Sequence, residues 1–206
     1  MSVTIQLKPK VLPSAFIMEQ IESTIHTFSR MIANPKLIDQ IDEAAALIVD
    51  AYRRGNKLLI AGNGGSAADA QHIAGELVSR FFFERDALPA VALTTDTSIL
   101  TAIGNDYGYE NLFSRQIQGN GAPGDVFLGI STSGNSPNIL KAFLACQEKG
   151  ITSIGLTGHT GGRMQEYCTH CIKVPAQLTP RIQEAHLLIG HIICSIVERS
   201  LFGSES

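Results

Sequence analysis

The chain has 206 residues with a formal net charge of −3, and only 17% of them are charged, against about 25% in an average soluble domain. That length suits one domain with a core large enough to need no disulfide or metal staple, and 44% hydrophobic residues exclude a disordered chain. Sixteen Lys+Arg against nineteen Asp+Glu, with no basic run, argue against a phosphate-backbone binder. No apolar stretch approaches the ~20 residues of a membrane span, and the opening MSVTIQLKPKVLPSAF lacks the continuous apolar run of a signal peptide. A cytoplasmic globular protein is expected, and burial of surface in an oligomer would explain its low charge.

Residues 1–13 are punctuated by Pro9 and Pro13 and are expected to be poorly ordered. Phe16, Ile17, Ile21, Ile25, Phe28 and Ile32 recur at helical spacing until Ala33-Asn34-Pro35 closes the run. A second helix is expected over about Leu37–Arg54, with Ile38, Ile41, Ala44, Ala45 and Ile48 on one face and Gly55-Asn56 as its stop. Short apolar runs then alternate with amphipathic stretches. The runs are Lys57–Ala61, Ala90–Leu93, Val126–Ile130, Ser153–Leu156 and Cys171–Val174. Between them lie Ser66–Phe81, a segment near Ser98–Gly119, Pro137–Lys149 and a short stretch near Arg163–Cys168, and Pro180–Leu201 forms a last helix. Alternation of this kind predicts right-handed βαβ units. The fold class is therefore α/β, a three-layer sandwich with a five-stranded parallel sheet and an N-terminal helical hairpin. One domain over 1–206 divides into 1–13, helices in 14–54, and the α/β core with its C-terminal helix in 55–206.

Ligands of such sheets bind at the carboxyl ends of the strands, where two loops stand out. Gly62-Asn63-Gly64-Gly65-Ser66 leaves the first strand and enters a helix, with Ser66 as the expected N-cap. Free N–H groups there favour an anion. Gly62-x-Gly64-x-x-Ala67 also fits the loose dinucleotide fingerprint, which keeps a nicotinamide-cofactor binder open as an alternative. The second loop, Ser131-Thr132-Ser133-Gly134-Asn135-Ser136-Pro137, sets four hydroxyls and a glycine at a helix start, with Pro137 in a first helical position. It is suited to a phosphoryl group. It is no nucleophile elbow, because Gly129-Ile130-Ser131-Thr132-Ser133 ends in Ser where Gly is required.

Asp69, His72, Glu76 and Arg80 fall at i, i+3, i+7 and i+11, one stripe along the helix after the first loop. A His and a carboxylate at i, i+4 can share a metal or act as an acid–base pair; the bland reading is a solvated edge with a Glu76–Arg80 ion pair. In the last helix Gln183, Glu184, His186 and His191 interrupt a run of aliphatics, and polar groups so placed must be bonded to something. Cys168 and Cys171 have CxxC spacing without the second pair that a structural zinc site needs. They read as small apolar residues near a late strand, thiols in a reducing compartment.

Asn63-Gly64-Gly65-Ser66, His72-x-x-x-Glu76, Gly104-Asn105-Asp106, Ser131-Thr132-Ser133-Gly134-Asn135-Ser136 and Arg181-Ile182-Gln183-Glu184…His191 stand in this order. Together they resemble the bacterial phosphoheptose isomerases of the sugar isomerase (SIS) fold, over nearly the whole chain after residue 14. The resemblance implies a flavodoxin-like sheet and isomerisation of sedoheptulose 7-phosphate to D-glycero-D-manno-heptopyranose 7-phosphate, an aldose–ketose isomerisation that begins ADP-heptose synthesis for lipopolysaccharide. It also implies a homotetramer with intersubunit active sites, and one zinc per subunit held by His72, Glu76, Gln183 and His191. Implied substrate contacts are Asn63, Gly64, Gly65, Glu76, Asn105, Asp106, Ser131, Thr132, Ser133, Ser136 and Gln183. Catalysis by a cis-enediol falls by the same resemblance to Glu76 as base and His191 as its acid–base partner. Some members have Asp where this chain has Pro180, so no role is carried over there. A sister family of this fold binds the replication initiator and lacks the ligand carboxylate and the late His; here Glu76 and His191 are both present.

One geometric expectation accompanies this ligand set. In an unbroken helix Gln183 and His191 lie ~12 Å apart along the axis and ~80° around it. Either Gln183 sits at a bent helix start or two subunits contribute ligands; the intersubunit arrangement is the expectation.

Overall fold

A computed structural model describes residues 14–203, so the expectation of poor order for 1–13 lies outside the described residues. Two helices come first, α1 (Ser14–Ile32) and α2 (Pro35–Arg53). Asn34 accepts the Leu37 N–H and Pro35 opens α2, so the chain reverses in two residues and the expected hairpin forms. The positive φ of Gly55 (81°) follows α2 as its stop.

Five parallel strands follow: β1 (Leu58–Gly62), β2 (Ala90–Ala92), β3 (Val126–Ser131), β4 (Thr152–Thr157) and β5 (His170–Lys173), in the order β2-β1-β3-β4-β5. Their bounds lie within a residue or so of the apolar runs. β1 and β3 are buried at every position, as strands covered on both faces must be. Between them come α3 (Gly65–Val78), α4 (Thr97–Tyr107), α5 (Leu112–Asn120) and α6 (Pro137–Lys149), and α7 (Thr179–Phe202) ends the described chain. The segment expected near Ser98–Gly119 is thus two helices, joined by a 3-10 turn at Tyr109–Asn111 after Gly108 (φ 86°).

The sheet separates two apolar cores. On one face Leu58, Ile60, Leu128, Ile130 and Leu156 pack with α2, α3 and α7; on the other Leu59, Ala61 and Phe127 pack with α4, α5 and α6. By length and composition α7 would also pass for a membrane span, which the sequence reading did not anticipate. In the fold it lies against α2 and α3, with Ile182, Ala185, Ile189, Ile193 and Val197 buried. α1 is the opposite case. Its Ile17, Ile21 and Ile25 are 55–58% exposed, and within the chain only Thr27 and Met31 of that helix are buried.

Candidate active site

The strand order reverses between β1 and β3, and the two loops singled out in the sequence leave those strands side by side. In the first, Gly64 has φ 57° and occupies the N-cap of α3. The expected cap Ser66 lies instead inside the first turn, buried, with its N–H bonded to the Asn63 carbonyl at 3.0 Å. Gly62 is needed because a Cβ there would fall 2.6 Å from the Ser66 carbonyl carbon. In the second loop Pro137 is the first residue of α6, as expected. The Ser131 and Ser136 hydroxyls bond each other at 2.9 Å, and the Ser133 hydroxyl accepts the Asn135 N–H at 3.2 Å. Gly134 (φ 66°) lies against the Gly161-Gly162 turn, and its carbonyl accepts the Met164 N–H at 2.9 Å.

A reciprocal amide pair joins the two loops. The Asn63 Nδ2 donates to Asn138 Oδ1 at 2.9 Å, and the Asn138 Nδ2 returns a bond to Asn63 Oδ1 at 2.8 Å. The Tyr109 hydroxyl donates to the same Asn63 oxygen at 3.0 Å. Beside this pair a cleft of about 350 Å³ opens between Asn63, Gly64, Thr94, Thr101 and Tyr109.

α3 and α7 run parallel and carry the second half of the site. Gly190 brings them together: a Cβ there would lie 2.8 Å from Ile73 Cδ1. The Nε2 atoms of His72 and His191 then face each other at 2.7 Å, and Glu76 Oε1 lies 3.4 Å from His72 Nε2. Donor atoms of all three residues fall within 4.8 Å of one another, a set that could hold a metal ion. Two imidazole nitrogens and a carboxylate oxygen suit a borderline cation, and ligand atoms on one tetrahedral ion sit about 3.3 Å apart, near the spacings seen. Asp69, one turn earlier, has one buried carboxylate oxygen without a hydrogen-bond partner. Burial pushes its pKa up to about 6 against the pull of His72.

Not every expected residue joins this cluster. Gln183 lies over Gly65 at the start of α3, about two turns from His72, although α7 is unbroken between Gln183 and His191. Asn105 and Asp106 are exposed near the end of α4, with the Asn105 Nδ2 bonded to Asp106 Oδ1 at 2.7 Å; neither lines the Asn63 cleft. Thr132 is half-buried and Gly65 exposed at their loop positions. His186 is wholly buried, neither ring nitrogen has a side-chain partner, and burial draws its pKa down to about 4.

Arg80 leaves the polar stripe. α3 ends at Val78 rather than near Phe81, and Arg80 pairs with Glu84 at 3.5 Å, not with Glu76. The reason is Arg85, whose guanidinium donates to the carbonyls of Glu76, Leu77 and Ser79 and so closes the helix. It is itself held by the fully buried Glu198 at 3.0 Å. Glu198 also accepts the N–H groups of Phe81, Phe82 and Phe83; burial pushes its pKa up, but these bonds and Arg85 leave it below the usual value. This fixes the Phe81 ring 5.7 Å from that of His191. Asn138, Tyr109, Phe81, Arg85 and Glu198 do not stand out in the sequence as site residues. Only Glu198 left a signal, an acid directly after Ile196-Val197 near the end of the aliphatic run of α7.

With this sheet order, two Gly- and Ser-rich loops at its switch point and an adjacent imidazole–carboxylate cluster, the chain belongs to the SIS domain family, whose model matches residues 21–158. Within it, the chain is a member of the phosphoheptose isomerases. It is 61% identical over 190 residues to the phosphoheptose isomerase of Aneurinibacillus thermoaerophilus, covering 92% of this chain and 96% of the relative. Phosphoheptose isomerase 2 of Campylobacter jejuni is also 61% identical over 190 residues, with 92% and 94% covered. The solved phosphoheptose isomerase of Neisseria gonorrhoeae superposes with a TM-score of 0.84 at 40% identity, over 90% of this chain and 98% of the other.

Proposed function

We propose that this chain interconverts sedoheptulose 7-phosphate and D-glycero-D-manno-heptopyranose 7-phosphate, the entry to ADP-heptose and lipopolysaccharide synthesis, as a single cytoplasmic domain spanning 1–206. The observation that carries this reading is the approach of His72, Glu76 and His191 across α3 and α7, about two turns along α3 from the first of two abutting loops at the carboxyl ends of β1 and β3.

The reaction moves a proton between C1 and C2 through a cis-enediol. It needs a base over the carbon, an acid at the oxygens and a grip on the phosphate. Glu76 takes the carbon-bound proton, and His191 passes a proton between the substrate oxygens. Ser131, Thr132, Ser133 and Ser136, with the α6 N-terminus, hold the phosphate. Asn63, Gly64 and Gly65, with Asn105, Asp106 and Gln183, bind the hydroxyls. His72, Glu76, His191 and Gln183 would hold one zinc per subunit. When bound, it would polarise the carbonyl or organise the site. Because Gln183, Asn105 and Asp106 stand apart from the cluster, a homotetramer with intersubunit sites is the assembly that would complete it; the exposed Ile17, Ile21 and Ile25 of α1 supply apolar surface for one.

Asp96, the acid that follows β2, has its carboxylate engaged by the Ile99 N–H at 2.9 Å, which disfavours the dinucleotide alternative. The presence and mutual approach of Glu76, His72 and His191 likewise favour an enzyme over an initiator-binding protein. The deciding experiment incubates the purified protein with sedoheptulose 7-phosphate and follows the aldose product by NMR. Turnover establishes the reading, and no product from a folded, metal-loaded protein removes it.

A further inference from the structure

Cys168 and Cys171 belong to neither loop nor cluster of the site. β5 is an edge strand, and its Cys171 is the registered partner of Gly155 on β4. Registered residues on neighbouring strands lie about 4.8 Å apart and point to the same face. The Cys168 sulfur comes back onto that face: a Cβ built on Gly155 would be 2.9 Å from it. Any residue but glycine at 155 would displace this sulfur. Both cysteines are half-buried and pack on the same apolar core, whereas Ile172 and Val174 turn to the other one. The two sulfurs therefore share one patch above Gly155, three residues apart in the chain.

The patch is open on one side. Cys171 lines a cleft of about 440 Å³ with Lys173, His170 and Glu43. Glu43 and His170 approach at 3.5 Å, and the Gln40 amide donates to the Cys171 carbonyl at 3.0 Å, which fixes the strand edge. The thiols differ in kind. The Cys168 thiol hydrogen-bonds the Cys171 sulfur, which, with Lys173 and against burial, draws Cys171 below the ordinary thiol range; the same bond and burial push Cys168 up.

We propose that Cys168 and Cys171 are a reversible dithiol–disulfide pair, a thiol-oxidation site for peroxides in which Cys171 is the attacking thiol and Cys168 the resolving one. The Cys171 thiolate attacks the O–O bond of the peroxide, forming a sulfenic acid; the departing oxygen takes a proton and leaves as water or alcohol. The Cys168 sulfur then attacks the sulfenic sulfur. The S–S bond forms, the S–O bond breaks, and the hydroxyl leaves as water with the Cys168 proton. Two electrons pass from the dithiol to the peroxide, and a small thiol reverses the step by exchange. This holds whatever the sugar specificity of the active site.

The test exposes the full folded chain to hydrogen peroxide, alkylates residual thiols and digests it with trypsin. Both cysteines fall in the Met164–Lys173 peptide, between Arg163 and the cleavage after Lys173. It should be recovered unlabelled and lighter by two hydrogens, and dithiothreitol should return it doubly alkylated. Cys146 and Cys194, buried with thiols pushed up to about 12, are the internal controls and should stay reduced. A peptide still doubly alkylated, carrying sulfinic acid beside a free thiol, or linked to a second chain would overturn the pair. In Cys168→Ser the remaining Cys171 should accumulate a dimedone-reactive sulfenic acid. Cys171→Ser should slow oxidation of Cys168 by about tenfold or more; equal rates would overturn the assignment of roles.

Discussion

His72 and His191 place their Nε2 atoms 2.7 Å apart across 119 residues of chain. The parallel contact of α3 and α7 brings this about, with Gln183 on Gly65 near both helix starts and, about two turns on, Gly190 on Ile73 and His191 on His72. The carboxylate of Glu76, the proposed base, sits one turn beyond, 3.4 Å from His72 Nε2.

Glu76→Gln keeps the side-chain volume and removes the proposed base. Isomerase turnover should fall by about 10²-fold or more, the usual contribution of a positioned acid–base group. Far-UV circular dichroism and the oligomer size should stay unchanged. Elemental analysis of His72→Ala and His191→Ala should show metal content well below that of the parent. Full activity of a chelated, metal-free protein would remove the metal from the site.

Gly190→Ala separates two effects. A helical glycine replaced by alanine gains about 1 kcal/mol of helix propensity. The new Cβ meets Cδ1 and Cγ1 of the fully buried Ile73 at 2.8 and 2.9 Å, an overpacking that offsets this gain and pushes α7 away from α3. Chemical denaturation should therefore change by less than about 1 kcal/mol, while kcat falls because His191 leaves His72. Unchanged kcat would mean that the helix spacing is not critical.

Asn138 is 2% exposed and exchanges two hydrogen bonds with Asn63. Asn138→Ala strands a half-buried amide and loosens the link between the two loops. A stability loss of about 1–3 kcal/mol and a raised KM are expected. Thermal denaturation and steady-state kinetics with the heptulose phosphate measure both.

Glu198 and Arg85 are 0% and 1% exposed at their side chains. Glu198→Gln leaves the guanidinium buried without its counter-charge, a change that costs about 3–5 kcal/mol in such pairs. The loop at Phe81–Phe83 should loosen, seen as faster amide exchange there. Leu in place of Glu198 should be worse, since three backbone N–H groups also lose their acceptor.

The buried His186 and the half-buried Asp69 give opposing pH dependences. His186 has its pKa lowered from 6.5 to about 4, so the unfolded chain binds more protons between these values and stability falls as pH drops through that window. Asp69 has its pKa raised from 3.8 to about 6, so the folded chain binds more protons and stability falls as pH rises through that window. The wild-type curve from pH 4 to 6 should be shallow. In Asp69→Asn stability should climb steeply with pH, and in His186→Leu it should decline. Urea midpoints measured at half-unit pH steps check this, and parallel curves for the three proteins would refute it.

Much of the scaffold was legible because its causes are local. Pro137 at a helix start, Asn34 before Pro35, and the unbroken apolar runs of β1 and β3 each act within a few residues. The His72–Glu76 relation was equally legible, since i, i+4 spacing sets two side chains on one helix face. The errors had distant causes. Ser66 carries a good capping side chain, yet Gly64 takes the cap because only a positive φ lets the chain turn there. α3 stops three residues early because Arg85 and Glu198, from a loop and from α7, take up its end.

The choice between His186 and His191 shows what each level determines. Sequence alone established an α/β chain with two anion-suited loops, a histidine–carboxylate pair on α3 and two candidate histidines among aliphatics on α7. These follow from periodicity and chemistry along one element. Tertiary structure decided that His191 meets His72 while His186 is sealed in the core, and that Asn63 is bonded to Asn138. Those outcomes depend on how far α7 slides and turns against α3 and how the switch-point loops abut. Packing among residues more than a hundred positions apart sets the first, and neither is written in any local pattern.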